Sequence, residues 1–167
     1  MTEPEVDALG VIERQWRRER PDLDLAAMVV FGRLGRLALV AERRIDAVFR
    51  EHGLRHGEFD VLAALRRAGA PFELNPSALA DTLMLSRAGM TGRLDRLEGA
   101  GLVRRIADPA DRRAVRVALT GAGRALIDVV VTEHTENETR LLASLSAPER
   151  DELDRIARKL LGALESG

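Results

Sequence analysis

The sequence predicts a mainly helical fold with one small β-hairpin. Aromatic residues make up only 3% of the 167 residues while hydrophobic residues reach 46%. The core is therefore built from Leu, Val and Ala, which suit helices better than sheets. Stretches bounded by capping residues carry apolar side chains at helical spacing. One stretch breaks the helical period: Val115, Val117 and Leu119 alternate with Ala114, Arg116 and Ala118, as in a half-buried strand.

A charged helical pattern runs from about Val6 to Arg20 and holds the only tryptophan, Trp16. Pro21 interrupts it, and Asp22 or Asp24 can cap the next helix. That helix spans about Leu23 to His52 and stops at Gly53. Its middle is apolar nearly all round and needs cover on every side. In a chain of this size a partner subunit is the natural cover. A shorter helix follows from Glu58 to Ala68, ending at Gly69. Asn75 then reads as an N-cap with Pro76 at the first helical position, opening a helix over Ser77 to Leu83. Ser86 caps the next helix, which ends at Gly99 to Gly101. Strands over about Leu102 to Ile106 and Ala114 to Leu119 flank ADPADRR, rich in turn residues. Thr120 opens a long helix to about Leu145. Ser146 and Glu149 form a capping box for the last helix, where Leu153, Ile156, Leu160 and Leu164 share a face.

The formal net charge is −1, but it is unevenly spread. Ser86 to Arg116 holds eight arginines against four acids, while Glu133 to Asp154 holds seven acids against two arginines. Such a chain can turn one positive face to phosphates and stay near neutral overall. No cysteine is present, which excludes disulfides, thiolate zinc sites and thiol redox sensing. No apolar run approaches the ~18 residues of a membrane span, and the expected location is the cytoplasm. Of the histidines His52, His56 and His134, the first two read as loop residues rather than metal ligands. No catalytic constellation stands out, so neither an enzyme nor a cofactor is expected.

Two helices joined by a tight turn, then an arginine-tipped hairpin, form a winged helix-turn-helix, a reader of double-stranded DNA. The expected organisation is a helical dimerisation region at 1–53 and 121–167 around a DNA-binding domain at 54–120. On the helix after Ser86, Met90, Leu94 and Leu97 share the core face. Ala88, Gly89, Thr91, Gly92 and Arg96 are assigned to the DNA side. Small residues there let the backbone sit deep in a major groove. Ser86 and Arg87 lie at the N-terminal end, where free N–H groups meet phosphate, and Arg87 is placed for a base contact. Arg96 is assigned to phosphate. Arg93 falls on the flank and can face the seam with the dimer helices. At the hairpin tip Arg112 and Arg113 can enter a minor groove, with Asp111 orienting one of them.

EFDVLAALRRAG, LADTLMLSRAGMTGRLDRLEGAGLVRR and DPADRRAVRVALTGAG resemble, in order and spacing, the MarR family of bacterial transcription regulators. The resemblance implies a homodimer, palindromic operators and a small-molecule pocket beside the reading head. It makes Arg113 the wing arginine and Asp111 its partner. The chain is also similar to the urate-responsive branch of that family, which carries an extra N-terminal helix. That similarity places ligand roles on Trp16, Asp60, Arg93 and Arg105, with an Asp60–Arg93 link that the ligand breaks. Urate is a planar anion suited to a stacking indole and guanidinium forks. The alternatives stay open: Trp16 packing on a neighbouring helix, Asp60 a solvated carboxylate, or a phenolic or other aromatic acid as ligand.

Overall fold

The computed structural model describes residues 7–83, 86–108 and 114–166. Among the described residues the order is α1 (Ala8–Glu19), α2 (Ala26–Glu51), α3 (His56–Arg67), β1 (Glu73–Leu74), α4 (Pro76–Thr82), α5 (Arg87–Gly99), β2 (Val103–Ala107), β3 (Val115–Leu119), α6 (Gly121–Leu141) and α7 (Ala147–Glu165). They fall into two compact units that divide inside α2, after Arg44. No described helix is long and apolar enough to cross a membrane.

In the first unit the Gly10 N–H donates to Asp7 Oδ1 at 2.8 Å, capping α1. Asp7 also accepts from Arg33 Nε at 2.9 Å, tying the start of α1 to α2. Leu9 packs over Gly32, where a Cβ would stand 2.7 Å from its Cδ1. Asp24 supplies the next cap, accepting from the Ala26 N–H at 3.0 Å. Val30, Leu34, Leu37 and Val40 remain open on α2, lining a groove of about 480 Å³ with Asp7 and Arg33.

The second unit holds the main core. Phe49, Leu62, Leu65, Leu79, Met90, Leu97 and Ile127 are almost completely buried. Each side chain of this kind contributes roughly 1.5–3 kcal/mol on leaving water. Both Gly53 and Gly101 take positive φ, 71° in each case. At Gly101 the Leu102 N–H reaches Leu97 O and the Gly101 N–H reaches Glu98 O, both at 2.9 Å. That double closure ends α5 and turns the chain into the hairpin.

The sheet is antiparallel with order β1-β3-β2. β3 pairs with β2 from Val103↔Leu119 to Ala107↔Val115. Strand β1 is only two residues long and pairs Glu73↔Ala118 and Leu74↔Val117. Helix α6 ends at Leu141, four residues before the expected Leu145. The chain tightens there, with Ala143 N–H on Arg140 O at 3.1 Å and Leu145 N–H on Leu142 O at 3.0 Å. This turn leaves Ser146 to cap α7, its N–H donating to Glu149 Oε2 at 2.8 Å. Helix α7 buries none of its residues, and Ile156, Leu160, Leu161 and Leu164 are exposed.

Candidate nucleic-acid interface

The reading head is built from local signals. Asn75 Oδ1 accepts from the Ser77 N–H at 2.8 Å and starts α4. Ser86 Oγ accepts from the Gly89 N–H at 3.1 Å and starts α5. Met90, Leu94 and Leu97 of α5 are each 2% exposed. Ser86, Ala88, Gly89 and Thr91 are exposed and Gly92 is half-buried, so the side opposite the core is open and small. Arg87 is the first residue of α5. Its side chain lies outside the described residues, as do the whole of Asp111, Arg112 and Arg113.

Several other arginines are engaged within the head. Arg96 Nε donates to Glu58 Oε1 at 2.6 Å, and the Glu58 side chain is only 7% exposed. Arg96 is thus held through Nε by a buried carboxylate of α3, while its side chain stays 45% exposed. Arg93 lays its guanidinium over Gly57, where a Cβ would stand 2.4 Å from its Cζ. Arg105, on β2, reaches back to α5. It donates from Nη2 to Asp95 Oδ1 at 2.6 Å, from its N–H to Glu98 Oε1 at 2.8 Å, and from Nη1 to Glu98 Oε2. The base of the hairpin is held by Arg116 Nε on Asp108 Oδ2 at 2.7 Å, with the Asp108 N–H on Ala114 O at 3.0 Å.

Among the described residues no ion pair joins Asp60 to Arg93, so the expected Asp60–Arg93 link is absent. Asp60 is half-buried and lies 4.0 Å from His56 Nε2. Arg93 instead rests on the backbone one helical turn away, at Gly57. Trp16 sits on α1 of the first unit and is 44% exposed. His52 lies in the turn after α2, but His56 is not a loop residue. His56 opens α3 with Nδ1 2.8 Å from Asp46 Oδ1, and His134 lies in α6 against Phe49 and Phe59. Among the described residues no group of histidines and carboxylates is arranged to hold a metal.

The MarR family profile matches residues 52–114. The transcriptional regulator PecS of Dickeya dadantii is 47% identical over 154 residues, covering 92% of this chain and 90% of its own. The chain belongs to the MarR family. Its fold is that of a mutant MarR from Escherichia coli solved with operator DNA, at a TM-score of 0.71 and 26% identity over 82% of this chain and 97% of the other. BpsR of Bordetella bronchiseptica, whose DNA binding is regulated by 6-hydroxynicotinic acid, matches at a TM-score of 0.68 and 27% identity, over 78% and 91% of the two chains. As a MarR-family member the chain is a winged-helix, DNA-binding transcription regulator.

Sequence reasoning missed Glu58, yet its signal was present. Glu58, Leu62 and Leu65 follow at helical spacing, which puts the carboxylate on the buried face of α3. Burial pushes the Glu58 carboxyl up. The hydrogen bonds from Arg96 and the Arg55 N–H, with the charges of Arg96 and Arg55, outweigh that and hold it below its ordinary value of 4.5. A carboxyl lowered on folding contributes stability that is fully present above its unfolded value and is lost as pH falls through its folded value. Glu58→Gln is therefore expected to lose less stability than the parent between neutral pH and about pH 3.5. Urea unfolding at the two pH values checks this, and equal losses would count against it.

Proposed function

We propose that this chain is a cytoplasmic, ligand-responsive repressor that binds palindromic operators as a homodimer and is released by a small anion. The observation that carries the reading is the exposed, small-residue face of α5 beginning at the Ser86 cap, with Met90, Leu94 and Leu97 buried behind it. The relative solved with operator DNA supports the partner. The open apolar faces of α2 and α7 support pairing with a second copy, which sets two recognition helices about one turn of DNA, ~34 Å, apart. Ser86, Arg87, Ala88, Gly89, Thr91 and Gly92 meet the major groove, and Arg112 and Arg113, oriented by Asp111, meet the minor groove. Arg96, held through Nε by Glu58 and otherwise exposed, meets a phosphate.

The ligand proposed is urate or a related purine, held by Trp16, Asp60, Arg93 and Arg105. The planar cations and the exposed indole suit a planar anion. A phenolic or other aromatic acid is the second reading, favoured by the hydroxynicotinic acid response of BpsR. Trp16 is the only tryptophan, so its fluorescence reports on the site directly. Saturable quenching by urate, with release of bound DNA at the same concentrations, is expected. A response to 6-hydroxynicotinic acid alone would favour the second reading, and silence to both would remove the site.

A further inference from the structure

Two arginines of the recognition helix converge on one turn of α3. Arg96 bonds the buried Glu58, and Arg93 covers Gly57, the residue before it. At Gly57 a Cβ would also stand 2.4 Å from Arg93 Nε and 2.6 Å from Nη2, so only glycine admits the guanidinium there. Glu58 is itself fixed, because Oε2 accepts from the Arg55 N–H at 3.0 Å and closes the first turn of the helix. Arg93 and Arg96 are three residues apart and therefore neighbours on α5.

Apart from Arg105, which ties Asp95 and Glu98 to β2, the rest of the contact between α5 and the core is apolar. Met90, Leu94 and Leu97 hold the helix against the core, but apolar burial has no direction. A hydrogen bond to a fixed carboxylate does have one. We propose that the Gly57–Glu58 turn is the seat that, from the side of α3, fixes the rotation of the recognition helix about its own axis, as Arg105 does from the side of β2. Glu58 is a positioning residue for sequence recognition, acting through Arg96, and Gly57 is the gap that receives Arg93. At the surface of a helix some 5–6 Å in radius, a turn of about 10° moves an atom by about 1 Å. That is enough to spoil paired hydrogen bonds to a base edge, while attraction to phosphate hardly changes.

The inference rests on α5 entering the major groove, so its test measures two duplexes. One is a duplex selected by the wild-type protein from a random pool, and the other is its scrambled counterpart. Glu58→Gln is expected to weaken binding to the selected duplex roughly tenfold and to leave the scrambled one within about twofold. Gly57→Ala is expected to act the same way, with a thermal midpoint unchanged or raised, because alanine favours a helix more than glycine does. In the Glu58→Gln/Arg96→Gln double variant the loss of selectivity should match that of the single variants rather than multiply. Equal losses on both duplexes, or multiplying losses in the double variant, would overturn the seat. A wild-type protein that shows no preference for any selected duplex would overturn the reading of α5 as well.

Discussion

Replacing Arg112 and Arg113 together with alanine is expected to weaken binding to a selected duplex about a thousandfold or more, as two charged contacts worth roughly 1–3 kcal/mol each are lost from the wing of each subunit. The strands on either side are pinned without them. Arg116 holds Asp108 at 2.7 Å, and Arg105 ties β2 to Asp95 and Glu98 of α5. The thermal midpoint should therefore stay near that of the parent, and the loss should be one of contact alone. Its signature is in the salt dependence. Each phosphate contact removed takes about 0.9 from the slope of log affinity against log salt, so two contacts flatten it by nearly two for each subunit. Binding measured across a series of salt concentrations separates this from a loss of base readout, which would leave the slope unchanged. An unaltered affinity would take the wing out of the interface.

The contrast between the wing and Glu58 shows which features a sequence discloses. Asn75, Ser86 and Thr120 cap helices as their sequence context predicts, each accepting from an N–H two or three residues on, and Ser146 gives its own N–H to Glu149 three residues on. The buried triad of Met90, Leu94 and Leu97 is equally local, since the helical period alone places it. Strand β1 has only two residues, too few for an alternation to register, and it exists because β3 offers it an edge. The arginines are least legible. Helical geometry puts Arg96 on the outer side of α5, and it is exposed there. Its partner, however, lies 38 residues back, on a different helix. Arg105 likewise answers to Asp95 and Glu98, carboxylates of the helix before the strand. Glu98 is held below its ordinary value first by the Arg105 backbone N–H and then by the guanidinium. A count of charges predicts a positive region, and the packing of α3 and β2 against α5 decides which charges are engaged within the head.

Gly123→Ala is expected to cost about 3 kcal/mol of stability, a large loss for one added methyl group. Gly123 is buried in the first turn of α6, and its N–H donates to Thr120 Oγ1 at 3.0 Å. A Cβ there would stand 1.9 Å from the Leu102 carbonyl oxygen and 2.8 Å from its carbon. That carbonyl cannot retreat. It accepts from the Thr120 N–H at 3.1 Å and from the Thr120 hydroxyl at 3.2 Å, and the Leu102 N–H is itself bound to Leu97 O at 2.9 Å. Relief of the clash must shift α6 away from the end of α5 or break the Thr120 cap, which alone costs about 1 kcal/mol. For a chain of this size, about 3 kcal/mol lowers the thermal midpoint by roughly 6–12 °C. Gly121→Ala is the control, two residues earlier in the same turn, where nothing lies within 4 Å of the added carbon. There the helix preference for alanine acts alone, and the midpoint should hold or rise. The two variants differ only in whether the methyl group meets Leu102, so equal midpoints would mean that the start of α6 is not pressed against the carbonyl that lies between α5 and β2.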